Sequence, residues 1–182
     1  MFYRRIGDDL QVALTLPQHA EALFALTDEN RAYLKEWLPW LGAVTTVDAT
    51  RRFIDLTLDN FAKGTALHEV LLYQGEIVGV LGFNTIDKTN GIGRVGYWLG
   101  EAYTRRGLMT AAVADLLHLG FQELQLQRVE IRCATENRRS RAIPERLGFQ
   151  FEGTLRSVER VGQRLHSPAV YGLLRSEFQA KD

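Results

Sequence analysis

VGYWLGEAYTRRGLMTAAVADLLHLGF, residues 95–121, is the stretch from which the rest of the chain can be read. RVGYWLG (94–100) has the apolar and aromatic content of a strand and stops at Gly100. A long helix follows from about Leu108 to Leu124, with Val113, Leu116, Leu117, Gly120, Phe121 and Leu124 on its buried face. Between the two lie Arg105, Arg106 and Gly107. The first-turn N–H groups of a helix have no internal partners and sit at the positive end of its dipole. With two arginines beside them they form an anion site of the kind a pyrophosphate needs. An ordinary loop with two solvated arginines fits the same composition.

Towards the N-terminus, LQVALTL (10–16) reads as a strand, and Pro17 opens a helix carrying Ala20, Leu23, Phe24 and Leu26. YLKEWLPWLG (33–42) is a short helical piece that Pro39 ends or kinks. Asp48 reads as the cap of a third helix with Phe53, Ile54, Leu58 and Phe61 on one face and Gly64 at its end. ALHEVLLY (66–73) and EIVGVLGFNTI (76–86) flank Gln74-Gly75 as a β-hairpin. Towards the C-terminus, RVEIRCA (128–134) is a strand, and Asn137 caps a helix to about Leu147 with Gly148 beyond it. FQFEGTLRSVER (149–160) and RLHSPAVYGLLRSEF (164–178) alternate as a closing antiparallel pair. This order predicts an α/β chain, a mixed sheet with helices on its faces. No linker, repeat or low-complexity tract divides it, so residues 1–182 read as a single domain.

The chain has 182 residues, 46% hydrophobic and 24% charged, which suits one sizeable core and excludes a disordered or collagen-like chain. Its single cysteine, Cys133, cannot form an internal disulfide, so a reducing compartment is expected. The start, MFYRRIGDDLQV, lacks an apolar leader, and no charge-free apolar run reaches about 18 residues. A cytoplasmic protein outside the membrane follows. Net charge is zero, 22 basic against 22 acidic residues, which argues against a nucleic-acid partner. The charges are unevenly spread: residues 1–104 carry nine Lys or Arg and 13 acids, whereas 105–164 carry 11 Arg and seven acids. A polyanionic small ligand therefore belongs on the later segment, where guanidinium forks match phosphate oxygens.

Several features read as structural. GIGRVG (91–96) matches G-x-G-x-x-G but precedes a strand, whereas a dinucleotide fingerprint follows one and opens a helix; Gly91 and Gly93 read as turn glycines. His19, His68, His118 and His166 have no metal-ligand spacing, so no metal is expected, and His118 reads as packed near the buried face of the long helix. Cys133 lies in an apolar strand and reads as a buried, inert thiol. In ENRRSRAIPERLGFQFEG (136–153), Pro144 has no N–H, so the carbonyl of Ser140 loses its helical partner and the helix should bend. Capping by Asn137 and that kink explain the segment by themselves. Alternatively, Ser140 faces a cleft and its hydroxyl donates to a leaving group.

Four blocks carry a resemblance: NRAYLKEWLPWL (30–41), VGYWLGEAYTRRGLMTAA (95–112), NRRSRAIPERLGFQFEGTLR (137–156) and RLHSPAVYGLL (164–174). Together they resemble the GCN5-related N-acetyltransferase (GNAT) family, in its RimJ/RimL-like branch of ribosomal-protein serine and alanine N-terminal acetyltransferases. The family's acetyl-CoA signature, Q/R-x-x-G-x-G/A, appears as TRRGLM, with Thr104 and Met109 at its ends and Gly107 retained. The resemblance implies a mostly antiparallel sheet of about seven strands flanked by helices, in which the central parallel strands 94–100 and 128–134 splay apart. Tyr97, Trp98 and Leu99 would then meet the thioester arm of acetyl-CoA; Arg105, Arg106, Gly107, Leu108, Met109 and Thr110 its pyrophosphate; and Asn137 its pantetheine. Asn30, Tyr33, Trp37 and Trp40 would wall the acceptor groove. A plain hydrophobic plug accounts for the two tryptophans equally well.

The implied reaction is transfer of acetyl from acetyl-CoA to a primary amine by direct attack through a tetrahedral intermediate, with no metal. It needs a base for an amine proton and an acid for the departing thiolate. Many relatives use as acid a tyrosine at the position that Pro144 occupies here. The branch resembled here uses instead the serine that maps to Ser140, with the glutamate that maps to Glu159 as base through a water. Pairing of Glu159 with Arg156 or Arg160 is the structural alternative. The favoured acceptor is the N-terminal α-amine of a ribosomal protein. Its pKa of about 7.7 to 8.0, against about 10.4 for lysine, leaves a useful neutral fraction. A small amine such as a polyamine, antibiotic or amino acid is the rival acceptor, and a catalytically silent CoA-binding module the rival class. Relatives are often homodimers, which is expected here too.

Overall fold

Burial alternates with period two along β2 (Leu10–Leu14), where Leu10, Val12 and Leu14 are buried and Gln11 and Ala13 only partly so. That is the mark of a strand with one face on a core. In the computed structural model, which describes residues 3–179, this strand lies in an eight-stranded sheet. Residues 1, 2 and 180–182 of the expected domain lie outside the described part. Chain order gives β1 (Tyr3–Arg5), β2, α1 (Ala20–Glu29), α2 (Arg31–Leu34), α3 (Val47–Lys63), β3 (Leu67–Tyr73), β4 (Glu76–Asp87), β5 (Ile92–Leu99) and α4 (Leu108–His118). Then come β6 (Arg128–Ala134), α5 (Arg138–Arg146), β7 (Gln150–Thr154), β8 (Glu159–Val161), β9 (Arg164–His166), β10 (Pro168–Leu174) and α6 (Arg175–Gln179).

The sheet order is β1-β2-β3-β4-β5-β6-β10-β7, antiparallel throughout except for the parallel pair β5–β6. The class is thus the expected one, but with eight strands where about seven were predicted. The extra one is β1, too short to show a period. The closing pair β7–β10 forms, yet β10 also slots between β6 and β7, while β8 and β9 make a separate two-stranded hairpin. Ala112, Val113, Leu116 and Leu117 of α4 pack with Leu71, Leu81, Phe83 and Val95 on one face of the sheet. On the other, Leu23 of α1 packs with Val70 and Val80, and Trp98 leans on them.

Five local expectations are corrected. Thr46, not Asp48, caps α3, its hydroxyl accepting from Ala49 N at 3.2 Å. That helix buries Thr50, Ile54 and Thr57, leaving Phe53 and Phe61 each 37% exposed at the edges of its face. Leu124 is exposed because α4 continues into a π-helical turn, Leu119–Glu123, whose wider winding carries it off the face. His118 is likewise exposed, its ring edge-on to Phe178 at 4.9 Å. Gly93 lies inside β5, where an added Cβ would come within 2.7 Å of Phe83 and Leu126, so close packing rather than a turn demands glycine.

One ion cluster ties the edge of the sheet to α4. Glu69 of β3, 1% exposed, receives Arg4 Nη1 at 2.7 Å and Nη2 at 2.9 Å, and Arg4 Nε reaches Asp115 at 2.8 Å. Burial pushes the Glu69 carboxyl up, against the opposing pull of Arg4. Arg4→Met should leave that carboxylate buried without its partner and cost about 3 kcal/mol at pH 7, read as a lower urea midpoint. The loss should shrink as pH falls through the raised pKa of Glu69, where the carboxyl takes up a proton.

Candidate active site

Strands β5 and β6 pair only from Ile92–Arg128 to Val95–Ile131. Beyond that point β5 continues to Leu99 against β4, and β6 continues to Ala134 against β10, so the two part. In a twisted sheet such a parting opens a slot, and backbone groups along its lips lose their strand partners. A cavity of about 1100 Å³ occupies this region. Its walls come from both faces: Tyr97 and Leu99 lie on the α4 side, Trp98 on the α1 side.

Helix α5 lies beside this opening. Asn137 Oδ1 caps it by accepting from Ser140 N at 3.1 Å, as expected, and the helix runs on through Pro144. The Ser140 carbonyl that the proline leaves unpaired accepts instead from the Tyr97 hydroxyl at 2.9 Å. Ser140 Oγ sits 3.4 Å from the same hydroxyl. Burial pushes the Tyr97 phenol well above its ordinary value, so it remains a donor. On its far side α5 is fixed by Tyr171, which accepts from Arg141 Nε at 2.8 Å and donates to Glu145 at 2.7 Å. Cys133, buried nearby, has its thiol pushed up to about 11 by burial.

Across the cavity, the loop before α4 turns through two left-handed residues, Arg105 (φ 64°) and Gly107 (φ 77°). No side chain caps α4, and a Cβ on Gly107 would meet nothing within 4 Å, so the helix end is open above it. Arg105 and Gly107 to Thr110 line the cavity. Arg106 does not: its guanidinium turns back to Ala102 O at 3.1 Å and lies over the rings of Tyr73 and Tyr103.

The opposite wall holds Tyr33, Trp37 and Trp40, with Trp40 tilted against Trp98 at 6.2 Å. Trp37 leans on His166 at 5.8 Å, a histidine fully buried in β9. Opposite His166 in the β8–β9 register stands Glu159, which also lines the cavity. Among the described residues the Glu159 carboxylate forms no hydrogen bond or ion pair, so the pairing with Arg156 or Arg160 is not made. Asn30 lies elsewhere: it donates to Leu26 O and accepts from Glu101 N, both at 2.8 Å, and does not line the cavity. Arg139, with its guanidinium 6.0 Å over Tyr33, was missed despite the run of arginines around it, as were Thr50, His68 and Asn84.

Residues 12–150 match a family model described as an acetyltransferase (GNAT) domain. A Bacillus subtilis protein named "Putative ribosomal N-acetyltransferase YdaF" is 31% identical over 182 residues, all of both chains. The "Ribosomal-protein-serine acetyltransferase" of Escherichia coli is 28% identical over 155 residues, 85% of this chain and 87% of that one. Among solved structures, RimL, described as a ribosomal L7/L12 alpha-N-protein acetyltransferase in complex with coenzyme A, superposes with a TM-score of 0.93 at 26% identity. The match covers 96% of this chain and 99% of that one.

Tyr97→Phe removes the hydroxyl that donates to the Ser140 carbonyl. A buried acceptor without its donor should lower stability by about 1–2 kcal/mol, measured by urea unfolding.

Proposed function

The chain belongs to the acetyltransferase (GNAT) family and is an acetyl-CoA-dependent N-acetyltransferase; we propose that its acceptor is the N-terminal α-amine of a ribosomal protein. The observation that carries this reading is the meeting of the Ser140 hydroxyl and the unpaired Glu159 carboxylate on one cavity where two central strands part. The same reading makes residues 1–182 one catalytic domain, working in the cytoplasm and able to pair as a homodimer. No helix among the described residues is long and apolar enough to cross a membrane.

The residues present fit acetyl-CoA. Left-handed residues at Arg105 and Gly107 lead into the open first turn of α4, whose N–H groups have no helical partners, which suits a pyrophosphate. Acetyl-CoA supplies an acyl group already activated as a thioester. Backbone amides of Tyr97 to Leu99 that face the parted side of β5 have lost β6 as partner and are free to hold the arm and polarise its carbonyl. Asn137 and Ser140, at the start of α5, line the same passage.

Proton handling then falls to two side chains. Ser140 donates from its hydroxyl to the departing sulfur, with Tyr97 fixing its backbone. Glu159 accepts a proton from the amine through a water. An α-amine suits this arrangement, because a large neutral fraction near pH 7.5 needs only a weak base. The names of the E. coli and RimL relatives point to the same acceptor class.

Ser140→Ala and Glu159→Gln should each lower kcat by about 100-fold in acetyl-CoA-dependent thiol release with a Ser-starting peptide, with KM for acetyl-CoA little changed. Intact turnover in either variant would remove that residue's role. Gly107→Ala, forced into the left-handed region, should raise KM for acetyl-CoA about 10-fold in the same assay and spare kcat.

A further inference from the structure

Two polar atoms in the acceptor half of the cavity are buried without a hydrogen-bond partner: Thr50 Oγ1 and His68 Nδ1. A buried polar atom left unpaired costs about 1–3 kcal/mol, and two on residues that line one cavity call for a ligand that satisfies both. Thr50, 3% exposed, projects from α3. One turn further on, Phe53 sets its ring edge-on to His68 of β3 at 5.7 Å, which fixes that face of α3 over the histidine.

The other ring nitrogen of His68 is occupied, because Nε2 lies 3.2 Å from Asn84 Oδ1. With that carbonyl accepting, the ring proton sits on Nε2 and Nδ1 presents a bare lone pair. Burial lowers the His68 pKa, which keeps the ring neutral. Asn84 is the extra residue of a bulge between β4 and β5, falling between the pairs Phe83–Val95 and Thr85–Arg94. Its amide lies on Gly96, where an added Cβ would come within 2.2 Å of Nδ2. Gly96 is the first residue of β5 past its last pair with β6.

A polar row therefore crosses the sheet from the slot, through Asn84, to His68 and Thr50. His68 and Gly96 face each other across β4, both in register with Gly82, a separation of two strand spacings or about 10 Å. An extended chain covers that in about three residues. A ligand there must donate to Nδ1, and only one that also accepts uses the Thr50 hydroxyl proton. An extended residue offers both on one edge, with its own N–H and C=O, whereas a simple polyamine has donors alone when charged.

Resting on the α-amine reading above, we propose that Thr50 and His68 clamp the main-chain N–H and C=O of the third residue of an extended acceptor, so that the site reads main chain well beyond the acetylated amine. Such a clamp selects a polypeptide over a small amine without demanding a particular side chain.

The test is a length series of Ser-starting peptide amides, from one residue to five, with spermidine alongside. In the wild type kcat/KM should rise about 10-fold between the dipeptide and the tetrapeptide, and Thr50→Val and His68→Leu should each abolish that rise while leaving the dipeptide within about 2-fold. Thr50→Ser, which keeps the hydroxyl, should retain the rise. A rise that survives in both Thr50→Val and His68→Leu, or no rise in the wild type, overturns the clamp and leaves the α-amine reading standing. Turnover of spermidine with none of any peptide overturns that reading, and the clamp with it.

Discussion

Everything in this molecule follows from the place where β5 and β6 stop being paired. A parallel pair buried on both faces normally satisfies its backbone groups along its whole length. Here the ladder ends at Val95–Ile131, and each strand keeps its outer neighbour while losing its inner one. The slot joins the two faces of the sheet, so a ligand cradled by the α4 loop and one resting on the tryptophans can meet without either crossing a closed sheet. Tyr97 and Trp98, on opposite sides of one strand, consequently line the same cavity from opposite faces of the sheet.

Pro144 illustrates how a local defect becomes an element of order. Within α5 its missing N–H frees the Ser140 carbonyl, which Tyr97 then captures from β5. The helix is thereby attached to one lip of the slot through Tyr97, and to β10 through Tyr171. Both attachments are phenol hydrogen bonds of 2.9 Å or less. Ser140 is thus held by its own backbone, and its hydroxyl makes only a long contact of 3.4 Å to the Tyr97 phenol.

Local pattern made the β3–β4 hairpin, the strand-to-helix passage at 94–110, the Asn137 cap and the tryptophan segment legible, because each is written within a few consecutive residues. What escaped depends on which faces meet. Nothing in RLHSPAVYGLL shows that β10 enters between β6 and β7, since insertion into a sheet is decided by distant strands. Asn30 and Arg106 sit inside family-like blocks, yet hydrogen bonds and ring contacts take them away from the cavity. His68 showed only the lack of metal-ligand neighbours. Its partners Phe53, Thr50 and Asn84 come from another helix and another strand, brought together by packing and by a bulge that no periodicity announces.

The β8–β9 hairpin stands outside the main sheet and carries Glu159 with it. Its attachments run to the tryptophan segment, through His166 against Trp37 and an exposed Arg164–Glu36 contact at 3.4 Å, and to the turn before α5, where His166 Nδ1 lies 3.8 Å from Glu136. Glu159 is therefore placed by a hairpin that bridges the tryptophan segment and the start of α5, not by the main sheet. A shift of that hairpin would carry the carboxylate across the cavity while the strands of the slot and the loop before α4 stay where they are.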